Sequence, residues 1–118
     1  MTTKRTADRL QRYERRYRDL SRQLAEIGYI AQGSLAERFT RCGKPSCACR
    51  GDPPKLHGPY WHWSTKIDGK TVNRRLNPRQ AELYGTWINN DRKARELLTE
   101  MRTVAAQAAA LLLDEHTT

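Results

Sequence analysis

Three cysteines and a histidine stand close together near the middle of this 118-residue sequence. Cys42, Cys47 and Cys49 are followed by His57, which gives the spacing C-x4-C-x-C-x7-H. Three thiolates and one imidazole are ligands that suit a tetrahedral zinc ion. Because four protein ligands leave no open coordination position, the spacing predicts a structural Zn²⁺ site.

Other uses of these side chains fit the sequence less well. The N-terminus lacks the apolar stretch of a secretory signal, so disulfides are not expected, and three cysteines would leave one unpaired. Redox chemistry usually shows a C-x-x-C spacing, which is absent. Three unrelated thiols remain an alternative. His62 is an alternative fourth ligand, but it lies inside a strand pattern, so we favour His57, which precedes the strand.

Glycine and proline interrupt the segment around the cysteines so often that neither a helix nor a strand is expected there. A bound metal ion would supply the order that this loop lacks. Arg41, Lys44 and Arg50 flank the cysteines, and their positive charge would favour the thiolate form that a metal needs.

The positive charge of the chain, formally +9, is unevenly distributed. Residues 1–32 carry 8 Lys/Arg against 4 Asp/Glu, residues 33–77 carry 9 against 3, and residues 78–118 carry 5 against 6. A polyanionic partner is therefore expected to approach the zinc segment. No apolar run is long enough to span a bilayer, so we expect a soluble, cytoplasmic protein.

Apolar residues recur at steps of three and four from Leu10 to Ala31, which predicts a heptad helix from about Thr6 to Gln32. Gly33 would follow its end as a cap. The helix side away from this seam carries Arg12, Arg15, Arg18 and Arg22. Phosphate binding and an ordinary solvated face are equal alternatives for these arginines.

Three strands are predicted in the middle segment. Residues 33–41 alternate as a short strand does, and Asp68-Gly69 indicates a type I′ hairpin turn. Pairing outward from that turn places an apolar set on one face, where Arg74 is expected to lie over Trp63. The tryptophans are expected in the core, whereas Tyr60 and His62 on the opposite, basic face are better candidates for base stacking. The apolar set comprises Trp61, Trp63, Ile67, Val72 and Leu76.

Asn77 and Gln80 predict a capped start for a second heptad helix, from about Pro78 to Glu115. Asn90 is a polar residue on its seam, a position that often sets register or partner number. The second helix is predicted to be longer than the first, so its Ala- and Leu-rich end beyond residue 104 has no partner within the chain. A homodimer is the simplest expectation, and a different protein is the alternative partner.

These patterns predict an α+β fold in which two long heptad helices form an antiparallel coiled-coil hairpin around a small three-stranded antiparallel sheet stapled by zinc. The expected segments are a basic N-terminal heptad helix (1–32), a zinc-binding β subdomain (33–77) and a C-terminal heptad helix for oligomerisation (78–118).

The run GSLAERFTRCGKPSCACRG, followed by HGPYWHW and DGK, resembles a family of small uncharacterised bacterial proteins marked by CGKP-x-C-x-C and HGPYW. The resemblance covers about residues 33–100 and leaves the basic helix outside. It implies that the three cysteines and His57 occupy the family's candidate metal positions. Members resemble cargo of phages, plasmids and transposons, which implies DNA as a natural partner.

A non-catalytic DNA-binding accessory or regulatory protein, of a mobile element, is the function that we expect. DNA is favoured over RNA, and an oligomeric coiled-coil adaptor for a protein partner is the alternative. An enzyme is not expected, because the sequence has no Gly-rich phosphate loop and no Ser/His/Asp arrangement. The expected phosphate contacts are Arg12, Arg15, Arg18, Arg22, Lys44, Arg50, Lys66, Arg74 and Arg75.

Overall fold

The computed structural model describes residues 3–116 of the chain, which form two α-helices and one three-stranded antiparallel sheet. This confirms the expected α+β class. No helix of that range is long and apolar enough to cross a membrane. In chain order the elements are helix α1 (Lys4–Ala25), strand β1 (Ser34–Thr40), a 3-10 turn (Ala48–Arg50), strand β2 (His57–Ile67), strand β3 (Lys70–Leu76) and helix α2 (Pro78–His116).

The chain divides into two compact units. The helical unit contains the described residues up to Tyr29 and those from Asn90 onward, and the sheet unit is Ile30–Asn89. Helix α2 is continuous and contributes its first part to the sheet unit and the remainder to the helical unit.

Apolar seam residues form the core of the helical unit. Leu20 is almost fully buried and packs with the buried Leu97 and Val104. Arg16 donates to Glu100 at 2.8 Å, which joins α1 to α2 through an exposed ion pair. Further partly buried residues around this core are Tyr13, Tyr17, Leu24, Ile27 and Met101, all at predicted seam positions.

Helix α1 ends at Ala25, so the prediction that it continues to Gln32 is wrong. Backbone groups after Ala25 form hydrogen bonds with residues of α2, where a longer helix would have formed them within itself. The Tyr29 carbonyl accepts from Asn90 Nδ2 at 2.9 Å, and the Ala31 N–H donates to the Trp87 carbonyl at 3.1 Å. Asn90 thus holds the end of this segment through an intramolecular hydrogen bond.

The register of the hairpin between β2 and β3 matches the prediction. Ile67 pairs with Lys70 and Trp61 with Leu76. Asp68 and Gly69 have φ values of 50° and 78°, as a type I′ turn requires. Strand β1 pairs with β2 on the other side, which gives the order β1-β2-β3.

One face of the sheet packs against the first turns of α2 within the sheet unit. The Trp63 ring lies 5.0 Å from Tyr84, and Tyr84 lies 5.2 Å from Trp87, between ring centroids. Leu76 and Ala81 are buried. Ile67 was predicted on this face as core, but it is 52% exposed because it lies beside the turn, beyond the end of the packed region.

Gly33 makes a close approach at the start of β1 rather than capping α1. Its φ is +112°, and a Cβ there would clash with the Ser64 carbonyl oxygen and would lie 2.7 Å from Trp63 Nε1. Trp63 Nε1 donates to the Gln32 carbonyl at 2.9 Å. A residue without a side chain therefore lets β1 approach the indole.

Candidate metal centre

The ends of strands β1 and β2 position the four candidate ligands. Cys42 follows β1, and His57 is the first residue of β2, where it pairs with Thr40. Cys47 precedes the 3-10 turn and Cys49 lies within it. Antiparallel pairing thus closes the loop and brings its two ends, with one ligand at each, to the turn that carries the other two.

All four ligand atoms lie within 4.8 Å of one another. Cys42 Sγ is 3.6 Å from Cys49 Sγ, and Cys47 Sγ is 3.2 Å from His57 Nε2. Ideal tetrahedral zinc would separate two sulfurs by about 3.8 Å and a sulfur from a nitrogen by about 3.6 Å, given its usual bond lengths. The cluster is therefore compatible with one tetrahedral zinc ion.

Backbone hydrogen bonds order the loop around the cluster. The Cys42 N–H donates to Cys49 Sγ at 3.3 Å, and Cys49 is fully buried. Arg50 donates to the Cys42 carbonyl through Nη2 at 2.8 Å and Nε at 3.2 Å. The Ala48 carbonyl accepts from the N–H of Gly51 and of Lys55, each at 3.0 Å. The exposed Arg50 side chain thus links the 3-10 turn to the start of the loop at Cys42.

The three thiols differ in acidity. The backbone N–H of Lys44 and then the His57 ring lower the pKa of Cys42. The backbone N–H and thiol of Cys49 lower the pKa of Cys47. The Cys42 N–H favours the thiolate of Cys49, but burial and the neighbouring thiols outweigh it and raise the pKa of Cys49. In two of the three cysteines, Cys42 and Cys47, the surroundings therefore favour the thiolate form that metal binding requires.

His62, the alternative fourth ligand, lies away from the cluster. It is in the middle of β2, opposite Ala36 on one side and Arg75 on the other. The structure therefore places His57, and not His62, with the cysteines.

The nine candidate phosphate-binding residues are all exposed and are divided between the two units, four in the helical unit and five in the sheet unit. The four arginines of the set in α1 differ: Arg18 bonds Glu14 at 2.9 Å and Arg22 lies 3.8 Å from Asp19. Arg12 and Arg15 have no carboxylate partner among the side chains described for residues 3–114. In the sheet unit, Lys44 and Arg50 lie in the loop between β1 and β2 that carries the cysteines. Lys66 and Arg75 lie on the sheet face away from Trp63, and Arg74 is the cross-strand partner of Trp63.

The cation-π contact in the sheet is not the predicted one between Arg74 and Trp63. The Arg75 guanidinium carbon instead lies 3.5 Å above the centroid of the Tyr60 ring, on the opposite face. Arg38 pairs directly with Tyr60 from β1 and was missed as a candidate. The β1 alternation alone could not identify it, because the pairing of β1 with β2 is needed to place it beside the tyrosine.

One family profile matches the chain, a domain of unknown function (DUF6788), over residues 10–85. The match begins within α1, so the family domain includes most of the basic helix that the resemblance had left out. No curated protein and no solved structure matches the chain. Because the matched range includes all four candidate ligands, the sheet and more than half of the sequence, the protein belongs to the DUF6788 family.

Proposed function

We propose that this protein is a non-catalytic, zinc-containing DNA-binding protein of the cytoplasm, an accessory or regulatory factor of a mobile element. Cys42, Cys47, Cys49 and His57 would hold the zinc ion, since their number, type and spacing suit a closed tetrahedral site. A closed site supports a structural role, in which the ion stabilises a loop that contains little regular structure.

Uncompensated positive charge on the sheet unit is the observation that carries the proposal. Residues 30–89 contain ten Lys and Arg against four Asp and Glu. Within the described chain, no salt bridge involves any of these ten; the five present all lie in the helical unit. Like charges destabilise a compact unit by mutual repulsion, so their accumulation without partners favours an external polyanion.

The proposed contacts to DNA phosphates are made by two sets of exposed cations. Arg12, Arg15, Arg18 and Arg22 would act from α1, and Lys44, Arg50, Lys66, Arg74 and Arg75 from the sheet unit. Because ion pairs hold Arg18 and Arg22, the sheet unit should supply the larger share. Such contacts give affinity with little sequence information.

A salt titration of duplex DNA binding tests this proposal. The logarithm of the binding constant should fall linearly with the logarithm of salt concentration. Each phosphate contact should contribute about −0.9 to the slope of this line. Substitution of Lys66 and Arg74 by Gln should reduce that slope, because two contacts are removed. The matched control replaces Arg92 and Lys93, two exposed cations of α2, and should keep the slope. A binding constant independent of salt would contradict the proposal.

An oligomeric coiled-coil adaptor remains the second candidate, favoured by an apolar groove in the helical unit. We propose that α1 and the later part of α2 form an antiparallel coiled-coil hairpin, since their seam residues share one core. The groove is lined by Leu10, Tyr13, Tyr17, Val104, Ala108 and Leu112, among others. A second copy of the chain is the proposed occupant.

Light scattering of two charge variants tests this candidate. Leu112→Glu, at a position 46% exposed in the groove, should convert a dimer into a monomer. Leu83→Glu, 39% exposed on α2 within the sheet unit, should leave the mass unchanged. A wild-type chain that is already monomeric would rule the candidate out.

A further inference from the structure

The sheet face opposite Trp63, hereafter the open face, combines an aromatic stack with positive charge. Its cations are Arg38 on β1, Lys66 on β2 and Arg75 on β3, and all three are exposed. Strand alternation and the pairing of the three strands place these side chains on one side of the sheet. The strand residues on this side include no carboxylate. The open face is therefore complementary to an anionic ligand.

Tyr60 lies between two of these cations. Arg38 is its direct cross-strand partner, and the Arg75 guanidinium lies 3.5 Å above its ring centroid. Nucleobases stack on arginine planes as well as on aromatic rings. A concave surface beside the pair, lined also by Pro59 and Asn77, leaves room for a flat group. Tyr60 and Arg75 thus offer a stacking platform with charge on both sides.

The polar groups at the centre of the open face do not favour readout of particular bases. Ser64 Oγ donates a hydrogen bond to Asn73 Oδ1, so these two side chains partly satisfy each other. Stacking and phosphate attraction remain, and both tolerate any sequence. A base can stack on a protein ring only when it is unpaired, whereas a duplex covers both faces of its bases.

We propose that the open face binds single-stranded DNA, with an unpaired base stacked on the Tyr60–Arg75 pair, a flanking phosphate on Arg38 and a phosphate further along the DNA strand on Lys66. This inference rests on the proposed DNA-binding function and names the form of DNA that the sheet accepts. Duplex binding uses phosphate contacts and does not depend on a base stacked on Tyr60, which makes the two proposals separable.

Fluorescence anisotropy with labelled oligothymidine and with a duplex of equal length, at one salt concentration, tests the inference. Tyr60→Leu removes the ring and should weaken oligothymidine binding by at least about fivefold, as loss of one stacked base does. Tyr60→Phe keeps the ring and should retain the affinity. Duplex affinity should change in neither variant.

Two exposed arginines provide a second, charge-based comparison that spares the core. Arg75→Gln should weaken oligothymidine binding more than Arg79→Gln does, because the Arg75 guanidinium stacks on Tyr60, whereas Arg79 belongs to α2 and not to a strand of the open face. Equal oligothymidine affinities for wild type, Tyr60→Leu and Arg75→Gln would overturn the inference, and salt-dependent duplex binding by wild type and Tyr60→Leu would leave the proposed function standing. If neither DNA form binds the wild-type protein, both proposals fail. Tighter binding to oligouridine than to oligothymidine would overturn the choice of DNA.

Discussion

The two histidines of β2 illustrate how position decides the chemistry of a residue. His57 begins the strand, and its Nε2 lies 3.2 Å from Cys47 Sγ. His62 is five residues further along the same strand, among residues of the open face. Both are half-buried, so exposure alone does not distinguish them. Only the first can join the three thiols around one ion.

Replacing each histidine by alanine provides a matched pair of variants. His57→Ala should remove one of four ligands, lower zinc affinity strongly and change the visible spectrum of a Co²⁺-loaded protein, because the coordination geometry changes. His62→Ala should leave metal content and spectrum as in the wild type. Metal analysis and a Co²⁺ titration measure both effects. Loss of metal in the His62 variant alone would reverse the ligand assignment.

Helix α2 begins with reciprocal capping hydrogen bonds, which its sequence predicts. The Gln80 N–H donates to Asn77 Oδ1 at 2.8 Å, and the Asn77 N–H donates to Gln80 Oε1 at 2.9 Å. These bonds satisfy backbone donors that have no partner inside a helix. The junction between β3 and α2 is therefore fixed by a local motif, which anchors the helix turns that cover Trp63.

Asn77→Ala should lower the free energy of unfolding by about 1 kcal/mol, the usual value for loss of an N-terminal cap. Asn89→Ala, at an exposed position inside α2, is the control and should cause no loss, because alanine favours the helix interior. Urea denaturation of metal-loaded protein measures both. If the two variants lose equal stability, the cap does not hold the junction.

Local signals made several elements predictable and long-range bonds made others unpredictable. The Asp68-Gly69 turn was sufficient to predict the β2–β3 register, and cysteine type and spacing were sufficient to predict the ligand cluster. The end of α1 was not predictable, because the residues after Ala25 bond partners that are remote in sequence, including Trp87. The Arg75–Tyr60 contact was not predictable either. Arg75 pairs with His62 and reaches Tyr60 diagonally across β2 and β3, so the contact depends on side-chain conformation as well as register.

At the scale of the whole molecule, we expect a bound metal ion to stabilise the sheet unit and its positive charge to destabilise it. Its cations repel one another, and the described part of this unit has few buried apolar or cysteine side chains: Cys49, Leu76 and Ala81. A small core supplies limited stability, and small domains often need a metal for the remainder. We therefore expect the cluster residues to determine whether the sheet unit stays folded.

Removal of metal by a chelator should lower the melting temperature, because a ligand that binds only the folded state stabilises it. The same loss should occur as pH falls, since protons compete with the metal for the three thiolates and the imidazole. Calorimetry with and without EDTA, followed by re-addition of Zn²⁺, measures the effect. An unchanged melting temperature in EDTA for protein shown to be metal-free would contradict a structural ion.

The four cluster residues span only residues 42–57 of the chain. Closing so short a segment costs little chain entropy, since that cost grows with the logarithm of its length. During synthesis the segment leaves the ribosome before the β2–β3 hairpin is complete, so an ion can be captured while most of the sheet is still unmade. Assembly would then proceed outward from the loop, and metal supply during translation would determine the yield of folded protein.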